Sequence, residues 1–192
     1  MSKVDNSTIL IVNDAPDALE LMRLQLHQAG YQILTATGGR EGVDVALHQR
    51  PDMVISDVAM PEVNGIELCR MIRAEDRLGT VPILLVSAIH KEDAKAVEGL
   101  KAGADDYLEV PYNQSRLVAK VARLLERKRA EGALKFQAHL LNTVEQAVIA
   151  TDLDGKINYW NGFADKLYGW SAAEAIGGNV LDLIPSKPTL AQ

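Results

Sequence analysis

Three short apolar runs each end in a side chain that carries oxygen. Ile9 to Val12 leads into Asn13 and Asp14, Met53 to Ser56 into Asp57, and Pro82 to Val86 into Ser87. If these runs are strands pointing the same way in one sheet, two carboxylates, an amide and a hydroxyl meet at one edge. Two carboxylates in one place repel, and a hard divalent cation relieves the repulsion. Oxygen-only donors suit Mg²⁺, which keeps several waters and takes one or two protein carboxylates. Beside such an ion a carboxylate can attack phosphorus and form an aspartyl phosphate. The metal and nearby donors then neutralise charge on the transferring group, and Ser87 can donate its hydroxyl to a phosphoryl oxygen. A single Asp after a strand is more often a turn former or a helix cap. The coincidence at three strand ends is what points to a site.

The intervening residues supply the elements that would hold that edge together. Asp14-Ala-Pro-Asp is a helix start with Pro16 in the first turn. Leu19, Met22, Leu26 and Ala29 follow at helical spacing, and Gly30 marks the stop. Tyr31 to Thr35 reads as a second strand and Gly39 to His48 as a second helix. Ile66, Cys69 and Ile72 share one face of a third helix. Ala94, Val97 and Leu100 mark a fourth, closed by Gly103, and Asp106-Tyr-Leu is a short fifth strand. Leu117, Val121 and Leu124 begin a fifth helix. Apolar strands alternating with helices imply a parallel sheet covered on both faces. Ligands of such sheets sit at the carboxyl ends of the strands, where the polar residues concentrate.

Charge and composition narrow the function classes. The net charge of −6 argues against nucleic-acid binding through overall charge. No run reaches the ~18 apolar residues of a membrane span. The polar start at Met1 to Asn6 lacks a signal peptide's apolar core. The lone Cys69 forms no internal disulfide, which fits a reducing cytoplasm, and it reads as core packing. The basic run Arg123 to Arg129 reads as a solvated helix face. His27, His48 and His90 lack metal-ligand spacing, and His139 reads as an ordinary helix residue.

Ile9-Leu-Ile-Val-Asn-Asp-Ala-Pro, Val54-Ile-Ser-Asp-Val-Ala-Met-Pro, Leu85-Val-Ser-Ala and Ala102-Gly-Ala-Asp-Asp-Tyr-Leu resemble the receiver domain of two-component response regulators, over about residues 7 to 128. The resemblance implies an α/β flavodoxin-like, doubly wound five-stranded parallel sheet in the order 2-1-3-4-5. It implies Asp57 as phosphoacceptor and a Mg²⁺ (or Mn²⁺) ion held by Asp14, Asp57 and the Ala59 carbonyl, with Asn13 reaching it through water. Ser87 and Tyr107 would be the switch pair, and Pro111 would follow a cis peptide bond. The partner would be a histidine kinase or a phosphotransfer protein, and the only chemistry in these residues would be Asp phosphorylation and dephosphorylation.

Two positions depart from the family's pattern. Asn13 stands where a second acidic residue is usual, which predicts weaker Mg²⁺ binding. Val110 stands where a lysine usually pairs with the phosphoryl group. Lys91 is the nearest candidate to substitute for it. A phosphorylation-independent pseudo-receiver, acting as a binding or dimerisation module, is the alternative reading.

Beyond the receiver (residues 1–126), a connecting helix is expected over 127–142. It leaves a homodimer through that helix open, although the charged stretch Arg127 to Glu131 interrupts a strict coiled coil. After it, Leu141 to Asn161, Ala164-Asp-Lys-Leu-Tyr-Gly-Trp-Ser and Glu174-Ala-Ile-Gly resemble the opening of a PAS sensor domain. Residues 143–192 are therefore expected to form an incomplete α+β PAS segment. Ala147 to Thr151 and Lys156 to Trp160 would be its strands, joined by a turn at Asp152 to Gly155. No PAS cofactor is identifiable from its residues, and Trp160, Trp170 and Tyr168 read as packing. The combined resemblance implies part of a longer cytoplasmic signalling protein, a sensor histidine kinase among the candidates, with its output domain beyond residue 192.

Overall fold

The structure is a computed structural model that describes residues 7–87, 94–143 and 146–184. Lys91 and His90 lie outside the described residues, as does the side chain of His139. The chain divides into two compact units, residues 1–129 and 130–192.

In the first unit the strands are β1 (Thr8–Val12), β2 (Gln32–Ala36), β3 (Met53–Asp57), β4 (Ile83–Ser87) and β5 (Asp106–Glu109). They form one parallel sheet in the order β2-β1-β3-β4-β5. Between them run the helices α1 (Pro16–Gln28), α2 (Gly39–Gln49), α3 (Gly65–Ala74) and α4 (Ala94–Lys101), and α5 (Gln114–Thr143) follows β5. Strand alternation divides the core in two. Leu10, Val12, Val54, Ile83, Leu85 and Tyr107 face α2 and α3, where Val43, Ala46, Leu68, Cys69 and Ile72 meet them. Ile9, Ile11, Met53, Ile55, Leu84, Val86 and Leu108 face the other way, onto Met22 and Leu26 of α1 and Leu117, Val121 and Leu124 of α5. The central strands are therefore continuously apolar between their ends, as at Ile9 to Val12, Met53 to Ile55 and Ile83 to Val86, because both faces are covered.

Two local readings of the sequence change. Val97 and Leu100, which mark α4 by spacing, are 44% and 49% exposed. The helix instead approaches the sheet at Gly99, where an added Cβ would lie 2.6 Å from Leu85 Cδ1. The basic run is also more than a solvated face. Arg127 pairs with Asp105, Arg123 and Lys120 with Asp106, Lys128 donates to the Asp52 carbonyl at 3.1 Å, and Arg129 donates to Ser7 Oγ at 2.8 Å. Burial lowers the pKa of Lys128, and Asp52 opposes that shift.

In the second unit β6 (Ile149–Thr151) and β7 (Ile157–Trp160) pair antiparallel. Asp152 Oδ1 accepts from the N–H groups of Asp154 and Lys156 and closes the turn, with Gly155 at φ 79°. Helices α6 (Gly162–Tyr168), α7 (Ala172–Ala175) and α8 (Val180–Leu183) follow. Ile157, Trp160, Ala164 and Ala175 make a small core. Trp160 packs on Tyr168 at 5.6 Å between ring centroids and donates its indole N–H to the Trp170 carbonyl. Trp170 itself is half-exposed, so its ring adds little to that core.

Candidate functional site

The carboxyl ends of β1, β3, β4 and β5 surround a cleft of ≈ 610 Å³. Asn13, Asp14, Asp57, Ala59, Ser87, Val110 and Pro111 all line it. Sheet register explains the convergence. Val12 lies opposite Ser56, Asp57 opposite Val86, and Ser87 opposite Glu109, so each strand delivers its last residue to the same edge. Three backbone bonds continue the ladders past the strands: Asn13 N–H to the Ala36 carbonyl, Val58 N–H to the Val86 carbonyl, and Val110 N–H to the Ser87 carbonyl. These bonds fix where the loops leave the sheet, and hence where the side chains point.

Asp57 is half-buried, and Ala59 N–H donates to its Oδ2 at 3.0 Å. Burial raises its pKa above the ordinary carboxylate value. The N–H groups of Ala59 and Val58 pull it down, and the neighbouring Asp14 charge pushes it up again. Asp14 is exposed, whereas Asn13 is buried and its Oδ1 accepts from Ala15 N–H at 2.8 Å. That bond holds the start of α1 and orients the amide at the cleft. Ser87 is buried at the end of β4. Tyr107 does not line the cleft; its ring is buried in the core between the sheet and α3. The Val110–Pro111 peptide bond is cis. Val110 is 42% exposed and presents apolar surface to the cleft.

Two features of the site escape a reading by residue type. Gly65 opens α3 directly against β3: a Cβ there would lie 2.1 Å from the Asp57 carbonyl oxygen. Asn64 caps this helix by accepting from Ile66 and Glu67 N–H, with Glu67 answering to the Asn64 N–H. The second feature is the apolar wall formed by Ala18, Leu21 and Met22 of α1 with Tyr112. Leu21 is the visible signal for that wall, because it is a large apolar residue off the buried stripe of α1.

The donor set is all oxygen: two carboxylates, one amide and a backbone carbonyl. Among the described residues no group of three or more His, Cys, Asp or Glu is placed to hold a metal. Mg²⁺ needs only one or two carboxylates and fills its other positions with water, so the residues present fit it.

Residues 9–122 match the response regulator receiver domain family, and residues 135–190 match the PAS fold. A curated relative is the DNA-binding dual master transcriptional regulator RpaA of Synechocystis sp., 34% identical over 62% of this chain and 49% of its own length. The chain thus spans about half of that relative. A solved receiver domain of a signal transduction histidine kinase from Syntrophus aciditrophicus is 38% identical, with TM-score 0.58, over 62% of this chain and 90% of that one. The receiver domain of the sensor histidine kinase PA1611 from Pseudomonas aeruginosa, reported with a magnesium ion coordinated in its active-site cleft, is 28% identical. Its TM-score is 0.60, over 64% of this chain and 99% of that one.

Proposed function

Given that this chain belongs to the response regulator receiver family, we propose that Asp57 accepts a phosphoryl group from a histidine kinase or phosphotransfer protein and that the PAS segment and an output region read the result. The observation that carries this reading is the Asp57 carboxylate itself. It stands at the end of β3 in an open cleft, oriented by Ala59 N–H, with the Asp14 charge beside it.

In the transfer, an Asp57 carboxylate oxygen forms the O–P bond as the P–N bond of the donor imidazole breaks, and the imidazole leaves with the electron pair. Asp14, Asp57 and the Ala59 carbonyl would hold Mg²⁺, with Asn13 acting through water. The ion would supply neutralisation of the incoming phosphoryl charge. The chain's own part is positioning. Ala59 N–H fixes one carboxylate oxygen, and the Asn13 bond to Ala15 keeps the acidic loop against the cleft. Ser87 would donate to a phosphoryl oxygen, with Tyr107 as its partner in the switch. Val110 offers no cation, so the phosphoryl group is held by fewer charges than in the family's usual site.

The test is incubation with a small phosphodonor and Mg²⁺, read by intact mass. A phosphorylated species that disappears in Asp57→Asn supports the reading. Absence of phosphorylation from both small donors and the cognate kinase overturns it and leaves a phosphorylation-independent binding module. Val110→Lys is expected to accept phosphate faster or to hold it longer.

A further inference from the structure

The cleft that contains Asp57 is larger than a phosphoryl group and an ion require. Its ≈ 610 Å³ falls within the ~300–1,000 Å³ range of small-molecule sites. Asp14 and Asp57 both line it. Leu21 and Met22 of α1 line it too, as do Val110 and Tyr112 of the segment after β5. Leu21 is 55% exposed and Val110 42% exposed, so apolar surface stands open to water in the same cleft as the two acids. The described residues lining the cleft include two acids and no Lys, Arg or His.

We propose that this cleft binds a small organic monocation, its ammonium head against Asp14 and Asp57 and its apolar body against Leu21, Met22, Val110 and Tyr112. The two halves of the lining select this class together. A neutral apolar molecule would desolvate the carboxylate end without giving it a partner, which costs free energy. An anion would meet two negative charges. A bare metal ion would leave the apolar walls in water. Val110 is central, because a basic side chain at that position would fill the cleft and supply the cation from within the chain. Such a ligand would compete with the metal for the same carboxylates and so restrain the phosphoacceptor.

The proposal does not depend on Asp57 being phosphorylated, so its test needs no phosphodonor, and either reading can fail without the other. The full chain, free of divalent metal, is titrated with 2-phenylethylammonium and with its neutral near-isostere 2-phenylethanol. The methyl NMR signals of Leu21, Met22 and Val110 are followed. The ammonium is expected to bind at least tenfold more tightly than the alcohol, a difference of about 1.4 kcal/mol. Val110→Lys should weaken ammonium binding at least tenfold; the half-exposed position accommodates the longer side chain. Mg²⁺ added to the unmodified chain should displace the ammonium. Equal affinity for the alcohol, no shift of these methyl signals at millimolar ligand, or binding indifferent to Mg²⁺ would each overturn the proposal.

Discussion

Adding one methyl group at Gly65 tests how tightly α3 is fitted against β3. A Cβ at this position would lie 2.1 Å from the Asp57 carbonyl oxygen and 3.0 Å from Ser56 Oγ. Carbon and oxygen in ordinary van der Waals contact sit more than ~3 Å apart, so the helix start must retreat by about 1 Å. The obstacle is backbone at the end of a central strand, not the tip of a flexible side chain. Overpacking of this kind costs about 1–3 kcal/mol, and rigid backbone puts Gly65→Ala toward the upper end. Two effects oppose it. Ala favours helix over Gly by ~1 kcal/mol at most, and it lowers the entropy of the unfolded chain, which largely overlaps with that preference. The net expectation is destabilisation of the receiver by about 2 kcal/mol. With a urea m-value of about 2 kcal/mol/M, the midpoint falls by ~1 M. Trp160 and Trp170 both lie in the second unit, so tryptophan fluorescence would miss the event. Hydrogen exchange at the β3 and β4 amides of the intact chain reads it directly. Gly132→Ala is the control, because no atom lies within 4 Å of a Cβ there; it should be neutral or slightly stabilising. Phosphorylation of Asp57 should slow in Gly65→Ala, since the displaced carbonyl belongs to the reacting residue. A variant with unchanged exchange and unchanged phosphorylation would refute the argument from close approach.

Other groups give further tests. Burial raises the pKa of Asp57, so the folded state binds this proton more tightly than the unfolded chain does. This contribution therefore lowers stability as pH rises from the unfolded carboxylate value through the folded one. Asp57→Asn should remove that slope and stabilise the metal-free receiver near neutral pH, as denaturation at several pH values would show. Asp106 behaves oppositely: burial pushes its pKa up, but Lys120, the Tyr107 N–H and Arg123 hold it below the ordinary value. Its contribution is present above the unfolded pKa and lost as pH falls through the folded one, and Asp106→Asn should cost about 2 kcal/mol at pH 7 in urea denaturation. Burial pushes the Cys69 thiol up to about 11, and it donates to the Ala102 carbonyl. Iodoacetamide at pH 8 should therefore label Cys69 only as fast as the receiver opens, and rapid labelling of the folded chain would contradict this placement.

The strands were legible because burial on both faces leaves a continuous apolar run, as at Ile9 to Val12 and Ile83 to Val86. The cleft residues were legible because each strand hands its last residue to one edge. Residues that act through fit were not. Gly99 is where α4 meets Leu85, while Val97 and Leu100, which mark the helix by spacing, face outward. Arg123 to Arg129 read as solvated because their partners, Asp105, Asp106, Asp52 and Ser7, are remote in sequence. Asn161 caps α6 and is also fully buried, accepting from Val148 N–H and donating to the Gln146 carbonyl. Only the folded path brings those groups to it.

The strand order has a consequence for the chain as it is being synthesised. β1 cannot be paired on both sides until β2 and β3 have both emerged, and the β1–β3 pairing brings Asp14 and Asp57 to one edge. The part of the cleft lining at Val110 to Tyr112 emerges much later and needs β5 paired with β4 and the first turns of α5 packed behind it. A nascent receiver therefore passes through a stage in which its acidic pair is assembled but the Val110 to Tyr112 part of the cleft lining is missing. Ribosome-bound chains halted before residue 110 should capture that stage.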